Sequence, residues 1–101
     1  MARPIVPAID SFLHEPARLR VLVFLGMVES ADFMYLLRQT GLSRGNLSVQ
    51  MRRLEAAGLV EAAKREVDGR LRTTYALSKD GKAALRSYKE TMQEILAAIP
   101  G

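Results

Sequence analysis

"TGLSRGNLSVQMRRLEAAGLVEA", Thr40–Ala62, decides how this chain folds. Ser43 offers a side-chain oxygen of the kind that accepts a first-turn backbone N–H, so a helix is predicted to start just after it. At about 100° per residue, Leu47, Met51, Leu54 and Gly58 then share one stripe, which faces a core. Gly45, Val49, Arg52 and Ala56 point the opposite way, flanked by Asn46 and Arg53. An apolar stripe is ordinary. The outer face raises the question, because it combines arginines, an amide, a glycine and one exposed valine.

Upstream, Ile9, Phe12 and Leu13 fall on one helical side of a first segment around Ala8–Leu13, which stops before "HEP". Pro16 suits a first helical position, and Ala17–Met27 continues as a largely buried helix with Leu19, Leu22, Val23 and Leu25 inward. Ser30 or Asp32 can cap the next helix, which turns Phe33, Leu36 and Leu37 inward and closes at Gly41 after Thr40. Downstream of Gly58, Leu59–Val67 and Arg72–Leu77 read as two strands joined at "DGRL", where Asp68-Gly69 supplies the positive φ angles of a tight hairpin. Thr73, Tyr75 and Leu77 share one face of the second strand. Ser78 or Asp80 can begin a last helix that runs to about Ile99 before Pro100. Two close-set helices, a short turn, a hairpin and a long terminal helix make a helix-turn-helix followed by a β-wing.

With 101 residues, the chain suits one domain with one modest core. A hydrophobic fraction of 49% argues for a folded chain. Lys and Arg outnumber Asp and Glu by 15 to 11, giving a formal charge of +4 and a pI near 9.9, so a polyanion is a natural partner. Cysteine is absent, which removes disulfides, thiolate metal sites and cysteine nucleophiles together. Neither the start "ARPIVPAI" nor the apolar run Val21–Val28 is long enough for a secretory signal or a bilayer span, so a cytoplasmic protein with no membrane partner is expected.

Around these residues the chain resembles winged helix-turn-helix transcriptional regulators of the MarR/ArsR-like group. The likeness covers roughly Glu15–Tyr88. It rests on "HEPARLRVLVFL" as the opening core helix, the quoted stretch as turn and recognition helix, and "TTYALSKDGKAAL" as the return from the wing into the last helix. The fold class it implies is mainly α with a small β-hairpin (α+β). Within the single domain 1–101, residues 1–14 form an N-terminal helical arm, 15–78 the helix-turn-helix and wing, and 79–99 a C-terminal dimerisation helix. Unlike metal-sensing relatives, the chain has one histidine and no cysteine, so neither a metal nor another cofactor is expected.

The resemblance implies that the outer face of the recognition helix enters the major groove of double-stranded DNA. Arg44, Asn46, Val49 and Gln50 are the candidates for base edges: arginine bridges guanine, an amide bridges adenine, and Val49 meets a thymine methyl. Ser43, Ser48, Arg52 and Arg53 are assigned to phosphates, which fix register without reading sequence. Gly45 lets the backbone approach the duplex closely. Lys64, Arg65, Arg70 and Arg72 bracket the wing tip, and Arg70 is the choice for a narrow minor groove.

Leu85, Tyr88, Met92, Ile95 and Ile99 step by three and four residues along the last helix, a heptad seam joined by Leu96. A helix near 30 Å long exceeds what so small a domain buries alone. The expected cover is a second copy of the chain, helped by Ile5, Val6, Ile9, Phe12 and Leu13, so that a homodimer presents two recognition helices to a near-palindromic operator as a repressor. By resemblance only, a small-molecule effector would bind between the terminal helices and the recognition core. No phosphate loop, nucleophile motif or histidine cluster supports an enzyme. Two other readings stay open: a winged helix that binds protein, and a nucleic-acid-binding protein without sequence preference.

Overall fold

Glu15 starts the regular structure. Its carboxylate accepts the backbone N–H groups of Arg18 (2.8 Å) and Ala17 (3.2 Å), while Pro16 fills the first helical position, where a missing N–H costs nothing. The bond from Arg18 is the main cause that holds this carboxyl below its ordinary range. The computed structural model describes residues 4–101, so the first three residues of the expected arm lie outside the described residues.

The elements follow as α1 (Pro16–Met27), β1 (Ala31–Asp32), α2 (Phe33–Thr40), α3 (Arg44–Ala56), β2 (Val60–Val67), β3 (Arg70–Leu77) and α4 (Lys79–Ala98). The strands make an antiparallel sheet in the order β1-β3-β2. The fold is thus four helices plus a three-stranded sheet, α+β, with one strand more than the hairpin expected from the sequence. That strand pairs only Ala31 with Tyr75 and Asp32 with Thr74, too short to show any alternation in sequence. The β2–β3 hairpin turns at Asp68 (φ 52°) and Gly69 (φ 76°), both left-handed as a two-residue turn requires.

The core gathers Leu13, Val21, Leu22, Leu25, Leu36, Leu47, Met51, Leu54, Val60, Leu77 and Tyr88 from every helix and both long strands. Three expectations change here. The Ala8–Leu13 segment is not a helix: the Asp10 carboxylate takes the N–H of Phe12 (2.9 Å) and of Leu13 (3.2 Å), a local bond that competes with helical pairing and folds a turn. Val23 is exposed, and Val21 takes the inward place beside Leu22. Gly58 leaves the core stripe, because α3 ends two residues before it. It adopts φ 74° after the helix, with Gly58 N–H to the Glu55 carbonyl and Leu59 N–H to the Leu54 carbonyl, each 3.0 Å, a Schellman ending.

Ser78 ties this exit to α4. Its hydroxyl donates to the Gly58 carbonyl (2.6 Å) and accepts from the Gly81 N–H (2.9 Å), while its own N–H reaches the Leu59 carbonyl (3.0 Å). One residue therefore caps the last helix and fixes it against the end of α3.

Candidate nucleic-acid interface

Three residues separate α2 from α3. Gly41 (φ 70°) donates its N–H to the Leu37 carbonyl, and the Ser43 hydroxyl accepts the Asn46 N–H at 3.1 Å, as the sequence led us to expect. Arg20 reaches across from α1 to the Thr40 carbonyl (3.3 Å), placing a cation at the C-terminus of α2. The turn is held from both sides, so the angle of α3 is set by bonds as well as by Leu47, Met51 and Leu54 in the core.

With that stripe buried, Ser43, Arg44, Gly45, Asn46, Arg52 and Arg53 are exposed, while Ser48 and Val49 are half-buried. No acidic residue occupies the first turn of α3. Its unpaired N–H groups and the helix dipole therefore add to the arginines and make that end attractive to anions.

Gln50 does not belong to this surface. It is 6% exposed, accepts from Arg18 Nε (3.1 Å) and donates through Nε2 to Asn46 Oδ1 (3.0 Å). A direct base contact from Gln50 is corrected on that ground. The signal was present: Gln50 lies only about 60° around the helix from Leu47, within the width of a buried face. Arg18 had no such signal, being 32 residues away and next to Ala17 on a helix otherwise read as core; it is buried, donates to the Phe12 carbonyl (2.7 Å) and stacks on the Phe12 ring at 4.2 Å.

In the hairpin, Arg65 pairs with Arg72, Val67 with Arg70, and Lys64 with Thr73. Strand alternation puts Arg65, Arg70 and Arg72 on one face and Lys64 on the other, with Glu66 and the 76% exposed Leu71. Arginines directly opposite each other repel, a cost that a bound anion would relieve. Arg72 meets Asp32 at 3.5 Å, an open pair of small energetic weight that leaves the Arg72 side chain 57% exposed.

The terminal helix divides its seam. Tyr88 is buried in the chain's own core, where its hydroxyl lies 2.7 Å from His14 Nδ1, and Leu85 and Met92 pack on that core too. Phe12 packs there as well, and Leu13 is buried. Leu13 and Tyr88 are thus taken up by the chain's own core, while Phe12, Leu85 and Met92 pack on that core and keep part of their surface outward, since the first half of α4 lies across α1. Beyond it, Ile95 is half-buried, Leu96 is 61% and Ile99 60% exposed, and Ile5, Val6 and Ile9 are exposed on the arm.

A helix-turn-helix with an uncovered cationic outer face, followed by a basic hairpin, defines a winged helix DNA-binding domain. The chain belongs to that family: the model described as "Winged helix DNA-binding domain" matches residues 17–96. The transcriptional regulator Rv3488 of Mycobacterium tuberculosis is 37% identical over 59 residues, 58% of this chain and 55% of that protein. A transcriptional regulator homologue of Pyrococcus horikoshii superposes with a TM-score of 0.80 at 27% identity, covering 87% of each chain. A MarR-family regulator of Silicibacter pomeroyi shares the fold at a TM-score of 0.64 and 23% identity, over 82% of this chain and 53% of that one. The chain is accordingly a winged helix DNA-binding protein, and the relatives it resembles are described as transcriptional regulators. Among the described residues no helix is long and apolar enough to cross a membrane.

Proposed function

We propose that the chain is a sequence-specific repressor that binds a near-palindromic duplex as a homodimer, with α3 in the major groove and the hairpin tip in the minor groove. The observation that carries this reading is the exposure of two separate arginine sets after folding, Arg44, Arg52 and Arg53 on α3 and Arg65, Arg70 and Arg72 on one face of the hairpin. A module that only kept the fold to bind protein has no use for both. Ser43, Ser48, Arg52 and Arg53 hold phosphates, Arg44, Asn46 and Val49 face base edges, Gly45 gives clearance, and Arg70 enters the minor groove with Arg65 and Arg72 behind it. Lys64, on the other hairpin face, adds only long-range attraction.

The dimer is supported by the apolar end of α4, Leu96 and Ile99 with Ile95, together with Ile5, Val6 and Ile9. Two copies joined there would offer their α3 helices to successive major grooves, roughly 34 Å apart. A groove of about 920 Å³ between α1 and α4, lined by Val23, Met27, Leu85 and Lys89, is the place where a small-molecule effector would act.

Selection of bound duplexes from a random pool, followed by titrations of Arg53→Ala and Arg70→Ala at several salt concentrations, tests the reading. A symmetric consensus with two half-sites one helical turn apart is expected. Arg53→Ala should weaken all sequences alike and reduce the salt slope by about 1, because it removes one phosphate contact. A salt-dependent affinity with no consensus would instead mean a general nucleic-acid binder, and no duplex binding would mean a protein-interaction module.

A further inference from the structure

Arg18 is a buried cation that the DNA-facing surface does not use. It is 6% exposed, and its guanidinium bonds to neutral acceptors, the Phe12 carbonyl and the Gln50 side chain. Its Nε–H donates to Gln50 Oε1 at 3.1 Å, and Gln50 Nε2 donates to Asn46 Oδ1 at 3.0 Å. Each link has a direction. A guanidinium has donors and no acceptor, so the Gln50 oxygen must face it. The Gln50 nitrogen must then face Asn46, and Asn46 must answer with its oxygen.

We infer that Arg18 and Gln50 are positioning residues that fix the polarity of the Asn46 amide, so that Asn46 presents its NH2 group outward and selects guanine. The inference rests on the placement of α3 in the major groove. Asn46 is the third residue of the helix and exposed, within the N-terminal part that reaches base edges. Among the described residues its Nδ2 has no hydrogen-bond partner, while Gln50 competes for the Oδ1 acceptor that a two-bond grip on adenine needs for the exocyclic amine. Guanine shows N7 and O6, two acceptors side by side; thymine shows one, O4, beside its methyl, and cytosine only a donor. An outward NH2 therefore favours guanine over adenine and rejects cytosine.

Gln50→Glu inverts the relay without altering its shape. One carboxylate oxygen pairs with Arg18, and the other replaces the Gln50 nitrogen as an acceptor facing Asn46. The Asn46 amide turns over, its nitrogen donating inward and its oxygen leading outward. The outward group has changed from donor to acceptor, although position 50 touches no base.

The wild-type chain, Gln50→Glu and Asn46→Ala are each taken through selection from random duplex DNA. Asn46→Ala identifies the half-site position that loses its preference. The wild-type chain is expected to select guanine there, by roughly 5- to 150-fold over the disfavoured bases. In Gln50→Glu that preference should pass to a base with an exocyclic amine, adenine or cytosine, with the other positions unchanged. A merely structural role for Gln50 would weaken binding without moving the base. The same base in both proteins, or any base other than guanine in the wild type, overturns the relay while leaving the proposed function standing. A wild-type chain that selects no sequence overturns both. Should Gln50→Glu fail to fold, side-chain amide exchange by NMR on the unbound wild-type chain decides: slow exchange at Gln50 with fast exchange at Asn46 is expected, and the reverse order overturns the polarity.

Discussion

Replacing Gly81 with alanine tests whether the junction of the recognition helix with α4 is as close as the structure places it. Gly81 stands in the first turn of α4 against the backbone of Leu59, the residue that directly follows Gly58 in the Schellman ending. A Cβ at Gly81 would overlap the Leu59 carbonyl oxygen and lie 3.0 Å from its carbon and 3.3 Å from its Cα. These are backbone atoms, and the same carbonyl already accepts the Ser78 N–H, so they cannot swing aside as a side-chain end would. Alanine gains at most about 1 kcal/mol in helix propensity over glycine. Overpacking typically costs about 1–3 kcal/mol and more when backbone must move. The balance is a loss of about 2 kcal/mol, which in a domain of this size lowers Tm by about 8–16 °C. Far-UV circular dichroism melts and urea titrations at one fixed protein concentration read it, since any dimer makes Tm concentration-dependent. A Gly81→Ala chain as stable as the wild type would show that α4 does not sit on the α3 exit, and the geometry derived for the recognition helix would fall with it.

Gly45→Ala should behave oppositely in the same melts: its Cβ meets nothing within 4 Å, so a gain of about 0.5–1 kcal/mol is expected, together with weaker binding to the selected duplex if the α3 backbone lies close to DNA. Glu15→Gln should destabilise at neutral pH by weakening the α1 cap. Because the folded-state carboxyl is lowered from 4.5, its contribution is fully present above that value and vanishes as pH falls through the lower folded value, so the wild-type and Glu15→Gln urea midpoints should converge on the acid side. Double substitution of Leu96 and Ile99 by Glu should leave the melt of the monomer fold nearly intact, as both are more than half exposed, while the proposed dimer should sediment as a monomer; a wild-type dimer that persists in the variant would place its contact elsewhere, and a wild-type monomer would remove the dimer.

Local chemistry made much of this protein readable in one dimension. Ser43, Asp68-Gly69, Gly41, Pro16 and Ser78 act on their immediate neighbours through caps and positive φ angles, so their meaning does not wait for the rest of the chain. The same holds for the outer arginines of α3, whose exposure follows from the helical period once Leu47, Met51 and Leu54 are buried. The Asp10 turn shows the limit of periodicity: three apolar residues at helical spacing lost to one carboxylate that satisfied two N–H groups locally.

Sequence alone thus determined the succession of α1, α2, α3, the hairpin and α4, the caps at Pro16, Gly41, Ser43 and Ser78, and the cationic character of the face opposite the core, because each depends on bonds or periods spanning a few residues. Tertiary structure alone decided that Tyr88 is buried in its own domain, that a two-residue strand joins the sheet, and that Gln50 turns inward to meet Arg18. Those outcomes depend on which surfaces compete for the same apolar or polar partner across tens of residues, and no local pattern encodes the result of that competition.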